Sequence, residues 1–291
     1  SAGQSEEILG AALGSDRDDV LIATKVRMQI GDADGPNDLG LSRYHIIRAV
    51  EGSLKRLGTD YIDLYQVHEW DGQTPLEETM AALDTLVTSG KVRYIGASNY
   101  TGWQLMKALW VADKAATERF VSQQIYYSLQ ARDAEKELVP VSIDQGLGIL
   151  VWSPLAGGLL SGKYRRGQDD PEGTRRFQGW SEPPVENEEQ LYDTIELLVQ
   201  IGDGHGVSAA QVALAWTLTK PAVTSLVIGA RTEEQLADNL AAATLELSSD
   251  EVARLDAVSL QPLTYPHWHQ ANAANDRLGA TTESLLRPHI G

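Results

Sequence analysis

The sequence predicts an α/β fold built on a parallel sheet, and three observations carry that prediction. Six apolar, β-branched runs occur at 21–24, 61–67, 92–97, 120–123, 148–151 and 224–228. Segments of helical period lie between them, and unbroken strand–helix alternation implies parallel pairing, in a closed barrel or an open doubly wound sheet. Each run also ends at a residue suited to chemistry: in order Lys25, His68, Ser98-Asn99, Gln124, Trp152 and Gly229-Ala230-Arg231. Strand carboxyl ends are where such folds keep their sites.

The elements follow in order. Gly3-Gln4-Ser5-Glu6 opens a helix continued by Glu7, Ile8, Leu9 and Ala12. Ile46, Ile47, Val50, Leu54 and Leu57 share one helical face, with Ser42 placed to cap the start and Gly58 to stop the end. Residues 75–89, 101–116 and 133–145 read as further helices. Ser208 with Gln211, Thr232 with Gln235 and Ser248 with Glu251 have the spacing of capping boxes that open three more. Two stretches break the alternation. Residues 155–187, rich in Gly and Pro, read as a long loop, either functional or disordered, and 261–291 as a C-terminal tail rich in His, Trp and Tyr with little period. No repeat, low-complexity linker or composition shift divides the chain, so 1–291 reads as a single domain.

Composition narrows the function. Hydrophobic residues at 42% and charged residues at 22% suit a soluble globular chain, and no window approaches the roughly 20 apolar residues of a membrane span. The net charge of −17 argues against nucleic acid or an anionic membrane as partner. A polyanionic cofactor would need a local cluster of Arg and Lys. With no cysteine there is no disulfide, thiolate nucleophile or cysteine metal site, which fits a reducing cytoplasm.

Each candidate side chain has a plain structural role to set against a chemical one. Lys25 is either a desolvated ammonium that lowers a neighbour's pKa or forms a Schiff base, or a lysine reaching the rim. His68 is an acid–base candidate beside it or a satisfied core histidine. Ser98, Asn99 and Gln124 suit a ligand carboxamide or, equally, exposed loop backbone. Trp152 offers a stacking face, or fills core. In 152–164 the glycines allow close approach of backbone to an anion, and Lys163 supplies charge. Gly229-Ala230-Arg231 precedes a helix whose N-terminus suits a phosphate. Gln235 either serves that phosphate or closes the helix, and Asn239 lies one turn on along the same face. Two weaker signals are set aside: 32–38 lacks the ligand and glycine positions of a calcium loop, and His267-Trp268-His269 lacks a third metal ligand. No metal is expected.

Taken together, Gly3-Gln4-Ser5-Glu6, Thr24-Lys25, Leu57 through Leu64 leading to His68, Gly96-Ala97-Ser98-Asn99, Trp152 through Tyr164, and Ile228-Gly229-Ala230-Arg231 with Gln235 and Asn239 resemble the aldo-keto reductase superfamily from Gly3 to about Leu260. The resemblance implies a (β/α)8 TIM barrel, with only strands 3–8 present in this chain, that binds NADPH and interconverts an aldehyde or ketone and its alcohol without a metal. By that similarity Lys25 and His68 belong to an Asp-Tyr-Lys-His tetrad. Ser98, Asn99 and Gln124 would hold the nicotinamide carboxamide, and Trp152 would stack on its ring. The loop bearing Ser153, Leu155, Gly157 and Lys163 would cover the pyrophosphate. Gly229, Arg231 and Gln235 would surround the 2′-phosphate, and Asn239 the adenine. Trp70, with Tyr265 and Trp268, would wall the substrate pocket. The tetrad's Asp and Tyr have no counterpart in this chain, and roughly 50 preceding residues are expected to supply them with two strands. The resemblance also admits an alternative, an NADPH-binding regulatory subunit with little turnover. A phosphosugar-binding barrel sharing only the phosphate loops is a further reading.

Overall fold

All six runs form strands. In the computed structural model, which describes residues 3–31, 35–169 and 183–290, they are β1 (Ala23–Val26), β2 (Ile62–Val67), β3 (Val92–Ser98), β4 (Phe120–Tyr126), β5 (Gly148–Trp152) and β6 (Val223–Val227). The sheet order is the chain order, and β1–β2, β2–β3, β3–β4 and β5–β6 pair in parallel. This is the strand–helix alternation of the (β/α)8 barrel class, carried by six strands. β1 and β6 stand at the two ends of the order, where Leu21 is 87% and Val227 44% exposed. The chain divides into two compact units, Ser1–Gln124 and Ile125–Gly291.

The first unit holds β1 to β3, most of β4, and α1 (Gln4–Leu13), α2 (Arg43–Leu57), α3 (Leu76–Thr88) and α4 (Gly102–Ala115). Ser42 caps α2 by accepting from the His45 N–H at 3.2 Å, and Gly58 ends it in the left-handed region at φ 66°. Ile46, Val50, Leu54 and Leu57 are buried on the face that the period marks. Two polar side chains serve as braces. Asp63 accepts from Arg17 and from the Ile22 N–H, each at 2.8 Å, fixing the entry to β1. Glu6 accepts from Thr24 at 2.6 Å and from Arg56 at 2.7 Å, tying α1 to β1 and α2. Gly10 is required where α1 meets α2, because a Cβ there would lie 2.3 Å from the Leu57 carbonyl oxygen.

The second unit holds β5, β6, α5 (Ala134–Gln145), α6 (Glu188–His205), α7 (Ala209–Leu218), α8 (Glu233–Ala241), α9 (Ser249–Val258), α10 (His267–Ala273) and α11 (Ala280–Leu286). Its core gathers Ile149, Val151, Ile195, Leu198, Val212 and Trp216. Arg132 is buried against this core, but it is fully engaged: Glu135 accepts twice from it, at 2.9 and 3.0 Å, and the Asp256 carbonyl once at 2.8 Å. A buried guanidinium left without such partners would be strongly destabilising.

Three expectations need amendment. The α6 helix was not read from the sequence, although Leu191, Ile195, Leu198 and Ile201 repeat at helical spacing and are buried. The tail at 261–291 carries two seven-residue helices, α10 and α11, whose Ala271, Leu285 and Leu286 form a small buried cluster. Of the three expected capping boxes only Ser248–Glu251 makes both bonds. At Ser208 the Gln211 amide donates to Asp238 instead, at 2.7 Å. At Thr232 the Gln235 amide oxygen accepts from the Arg231 N–H at 3.0 Å. Residues 32–34 of the set-aside calcium loop, and 170–182 of the long loop, lie outside the described residues.

Candidate active site

In the first unit the strand ends carry five candidates: Lys25, His68, Ser98, Asn99 and Gln124. Lys25 on β1 stands in register with Gln66 on β2, and His68 follows the end of β2, its N–H donating to the Val26 carbonyl at 3.0 Å. Burial pulls the Lys25 ammonium below the ordinary lysine range, and among the described residues no carboxylate pairs with it. His68 is also held below its ordinary pKa, first by burial and then by the positive charge of Lys25, with Glu69 opposing. The two side chains therefore sense each other, and both effects favour the neutral imidazole. A neutral imidazole keeps one N–H to donate.

Ser98 and Asn99 are committed to the backbone around them. The Ser98 hydroxyl donates to the Gln124 carbonyl at 3.0 Å, and the Asn99 N–H donates to the same oxygen at 3.1 Å. Asn99 sits in the left-handed region at φ 54°, a conformation that Asn tolerates better than most residues. Its side-chain amide donates to the His68 carbonyl at 3.2 Å, so β3 is tied to the end of β2. The Gln124 side chain is buried. Trp70 packs edge-on against Tyr100 and Trp103, with centroids 5.3 and 5.5 Å away, so one side of its ring is already supported.

Sequence reasoning passed over Arg27, two residues beyond Lys25. Its backbone has φ 115°, strained for a residue with a side chain, and is held there on both sides. Its carbonyl accepts from Gly40 at 2.9 Å, and its Nε donates to the Trp70 carbonyl at 3.2 Å. No sequence pattern signals such a conformation in an arginine.

In the second unit Trp152 ends β5 half-exposed, its ring tilted 34° on Tyr126 at 4.9 Å. Burial raises the Tyr126 hydroxyl to about 12, so it stays a protonated neighbour. Ser153 turns the chain at φ 53°, and its hydroxyl accepts from the Gly157 N–H at 2.9 Å. The Leu155 carbonyl accepts from the Gly158 N–H at 2.9 Å. These N–H groups, expected to face an anion, are thus engaged within the turn. The ammonium of Lys163 lies beside this turn: a Cβ on Gly158, which sits in the left-handed region at φ 100°, would stand 3.4 Å from its Nζ.

The Arg231 loop is exposed, and a Cβ on Gly229 would meet nothing within 4 Å. Gln235 closes the loop through the Arg231 N–H, and Thr232 caps α8 through the Gln235 N–H at 3.2 Å. Glu234, not singled out from the sequence, takes hydrogen bonds first from its own backbone N–H and then from Thr232, which hold its carboxyl below the usual range. The chain's own carboxylate therefore already sits at the N-terminus of α8. Asn239 is half-buried on α8. Tyr265 and Trp268 are exposed at 73% and 48%, their rings 6.0 Å apart.

Comparison with known proteins adds independent findings. The family model of the aldo/keto reductase family matches residues 1–260. An uncharacterised oxidoreductase of Bacillus subtilis is 44% identical over 263 residues, covering 89% of this chain and 78% of that protein. A probable voltage-gated potassium channel subunit beta of Oryza sativa is 36% identical, covering 88% and 79%. The versiconal hemiacetal acetate reductase of Aspergillus parasiticus is 34% identical, covering 91% and 82%.

Proposed function

The chain belongs to the aldo/keto reductase family, and from that premise we propose that it is an NADPH-dependent oxidoreductase interconverting a small aldehyde or ketone and the corresponding alcohol. The observation that carries the reading is the pairing of a desolvated Lys25 with a His68 that feels its charge. When bound, the nicotinamide supplies a hydride, its pro-R hydrogen, to the carbonyl carbon.

The chain's own residues then have distinct tasks. The His68 imidazole donates a hydrogen bond that orients the carbonyl oxygen. Lys25 places positive charge where negative charge develops, and it would make the tetrad tyrosine that the resemblance implies, which this chain does not hold, more acidic as that tyrosine gives the oxygen its proton. The strand ends fit a carboxamide through Ser98, Asn99 and Gln124, although the Ser98 hydroxyl already donates to backbone and serves a ligand as an acceptor. In the second unit the half-exposed Trp152 suits ring stacking, Ser153, Leu155 and Gly157 shape the turn that carries Lys163, and Lys163 suits the pyrophosphate. Gly229 leaves the Arg231 loop open to a phosphate, with Gln235 bracing it and Asn239 one turn along α8. Trp70 walls the substrate.

The test is turnover. With NADPH and 4-nitrobenzaldehyde the protein consumes the cofactor and forms the alcohol, and a carbonyl and alcohol panel then ranks substrates. The similarity to a channel subunit beta favours one other reading, a regulatory NADPH binder. Tight NADPH binding without turnover across the whole panel would establish that reading instead.

A further inference from the structure

Gln66 lies on β2 in register with Lys25 on one side and with Gly96 on the other. Register partners in a parallel sheet send their side chains to the same face, and alternate residues along a strand do likewise. Lys25, Gln66 and His68 therefore share a face. Thr24 and Tyr65 take the opposite one, where Thr24 meets Glu6.

Gln66 has no exposed surface, and among the described residues neither its amide oxygen nor its amide nitrogen has a hydrogen-bond partner. A buried amide left unpaired is costly, and such a group calls for an explanation. Gly96 supplies part of one. A Cβ at that position would come 2.8 Å from the Ser122 hydroxyl oxygen and 3.3 Å from Gln66 Cγ, so the glycine makes the space in which these side chains meet. The Ser122 hydroxyl is likewise buried and unpartnered. Two unsatisfied polar groups thus flank Gly96, on the same face as an ammonium that has no carboxylate beside it among the described residues.

We propose that Gln66 is a positioning residue for Lys25: its amide oxygen accepts from the ammonium through one bridging water shared with the Ser122 hydroxyl. The interaction keeps the lysine charged and directed at the reacting oxygen. This rests on the reading of Lys25 as catalytic. The charged and titratable groups near Lys25 are His68 on β2 and, beyond the strand ends, Arg27 and Glu69, which lie 3.6 Å apart. On the other face Arg56 of α2 is paired with Glu6 of α1.

The experiment titrates Lys25 by carbon NMR in protein labelled with ε-13C-lysine, the signal being assigned with Lys25→Arg. Gln66→Met removes the acceptor at nearly constant volume and lowers the Lys25 pKa. Gln66→Glu sets a carboxylate in its place and raises it. Shifts of opposite sign support the proposal, since loss of packing alone would not reverse direction with charge. An unchanged Lys25 pKa in both variants overturns it. If the glutamate variant does not fold, Gln66→Met and Gln66→Leu decide the matter: a lowered pKa in both supports the proposal and an unchanged one overturns it. In the methionine variant kcat falls roughly 10-fold, the loss of one charge-assisted hydrogen bond. The titration needs no turnover, so its failure removes the role of Gln66 while the reductase reading stands or falls by its own assay.

Discussion

The two units place their candidate residues in opposite ways. In the first, Lys25, His68, Ser98 and Gln124 lie at or just beyond strand ends, half or fully buried, with positions fixed by parallel register. In the second, Arg231 and Lys163 lie on loops and Gln235 in the first turn of α8, all exposed, with backbone donors nearby already engaged. A strand end holds a side chain without needing a ligand to organise it, and burial changes its chemistry. An exposed turn does neither. On the proposed reading, the first unit would set the reactivity and the second would select an anionic cofactor.

Three substitutions and one titration sharpen that contrast, in descending order of effect. Lys25→Met should lower kcat for 4-nitrobenzaldehyde by about 100-fold or more while NADPH affinity, measured by tryptophan quenching, changes little. A comparable loss in both quantities would place Lys25 in binding rather than reactivity. Arg231→Ala should raise the NADPH dissociation constant roughly 10-fold and leave NADH nearly unchanged, because a charge-assisted contact to the 2′-phosphate is lost. Equal losses for both cofactors would remove Arg231 from that phosphate. Glu234→Gln should tighten NADPH roughly 2- to 5-fold by removing a negative charge from the N-terminus of α8. Weaker NADPH binding would show that the carboxylate supports the loop instead. The smallest effect is on His68: its imidazole resonances should titrate below 6.5 in the unaltered protein and closer to it in Lys25→Met, since the lysine charge is the second cause of the depression. For the same reason the unfolded state binds more protons here as pH falls below about 6.5, so this histidine's contribution to stability is present above that value and declines beneath it.

Much of this was legible in the sequence, and the exceptions follow a physical pattern. All six strands appear where β-branched runs stand, because β-branched and apolar residues suit the pleated surface of a sheet. Ser42 and Gly58 mark α2 because caps are local chemistry. Helix α6 escaped notice beside the Gly- and Pro-rich stretch, though its buried leucines and isoleucines were there to read. Helices α10 and α11 are too short to show a period, and they depend on a small cluster around Leu286. Among the candidate residues, Lys25 and His68 were identifiable because polar groups at the end of apolar strands are conspicuous. Glu234 was not, since a glutamate in a first helical turn is ordinary. Gln66 stands inside an apolar run, and its lack of any partner is visible only in three dimensions. The glycines of 157–158 suggested an anion cradle, but which N–H groups the turn consumes is decided by Ser153 and Leu155 in the folded chain.

Hydride transfer from the cofactor to a carbonyl is most directly tested with NADPH deuterated at the pro-R position and 4-nitrobenzaldehyde, the product being read by mass spectrometry and NMR. The expected product is 4-nitrobenzyl alcohol carrying one deuterium at the carbinol carbon, formed at a rate that Lys25→Met suppresses. Alcohol without the label, or no alcohol while NADPH remains tightly bound, would contradict it.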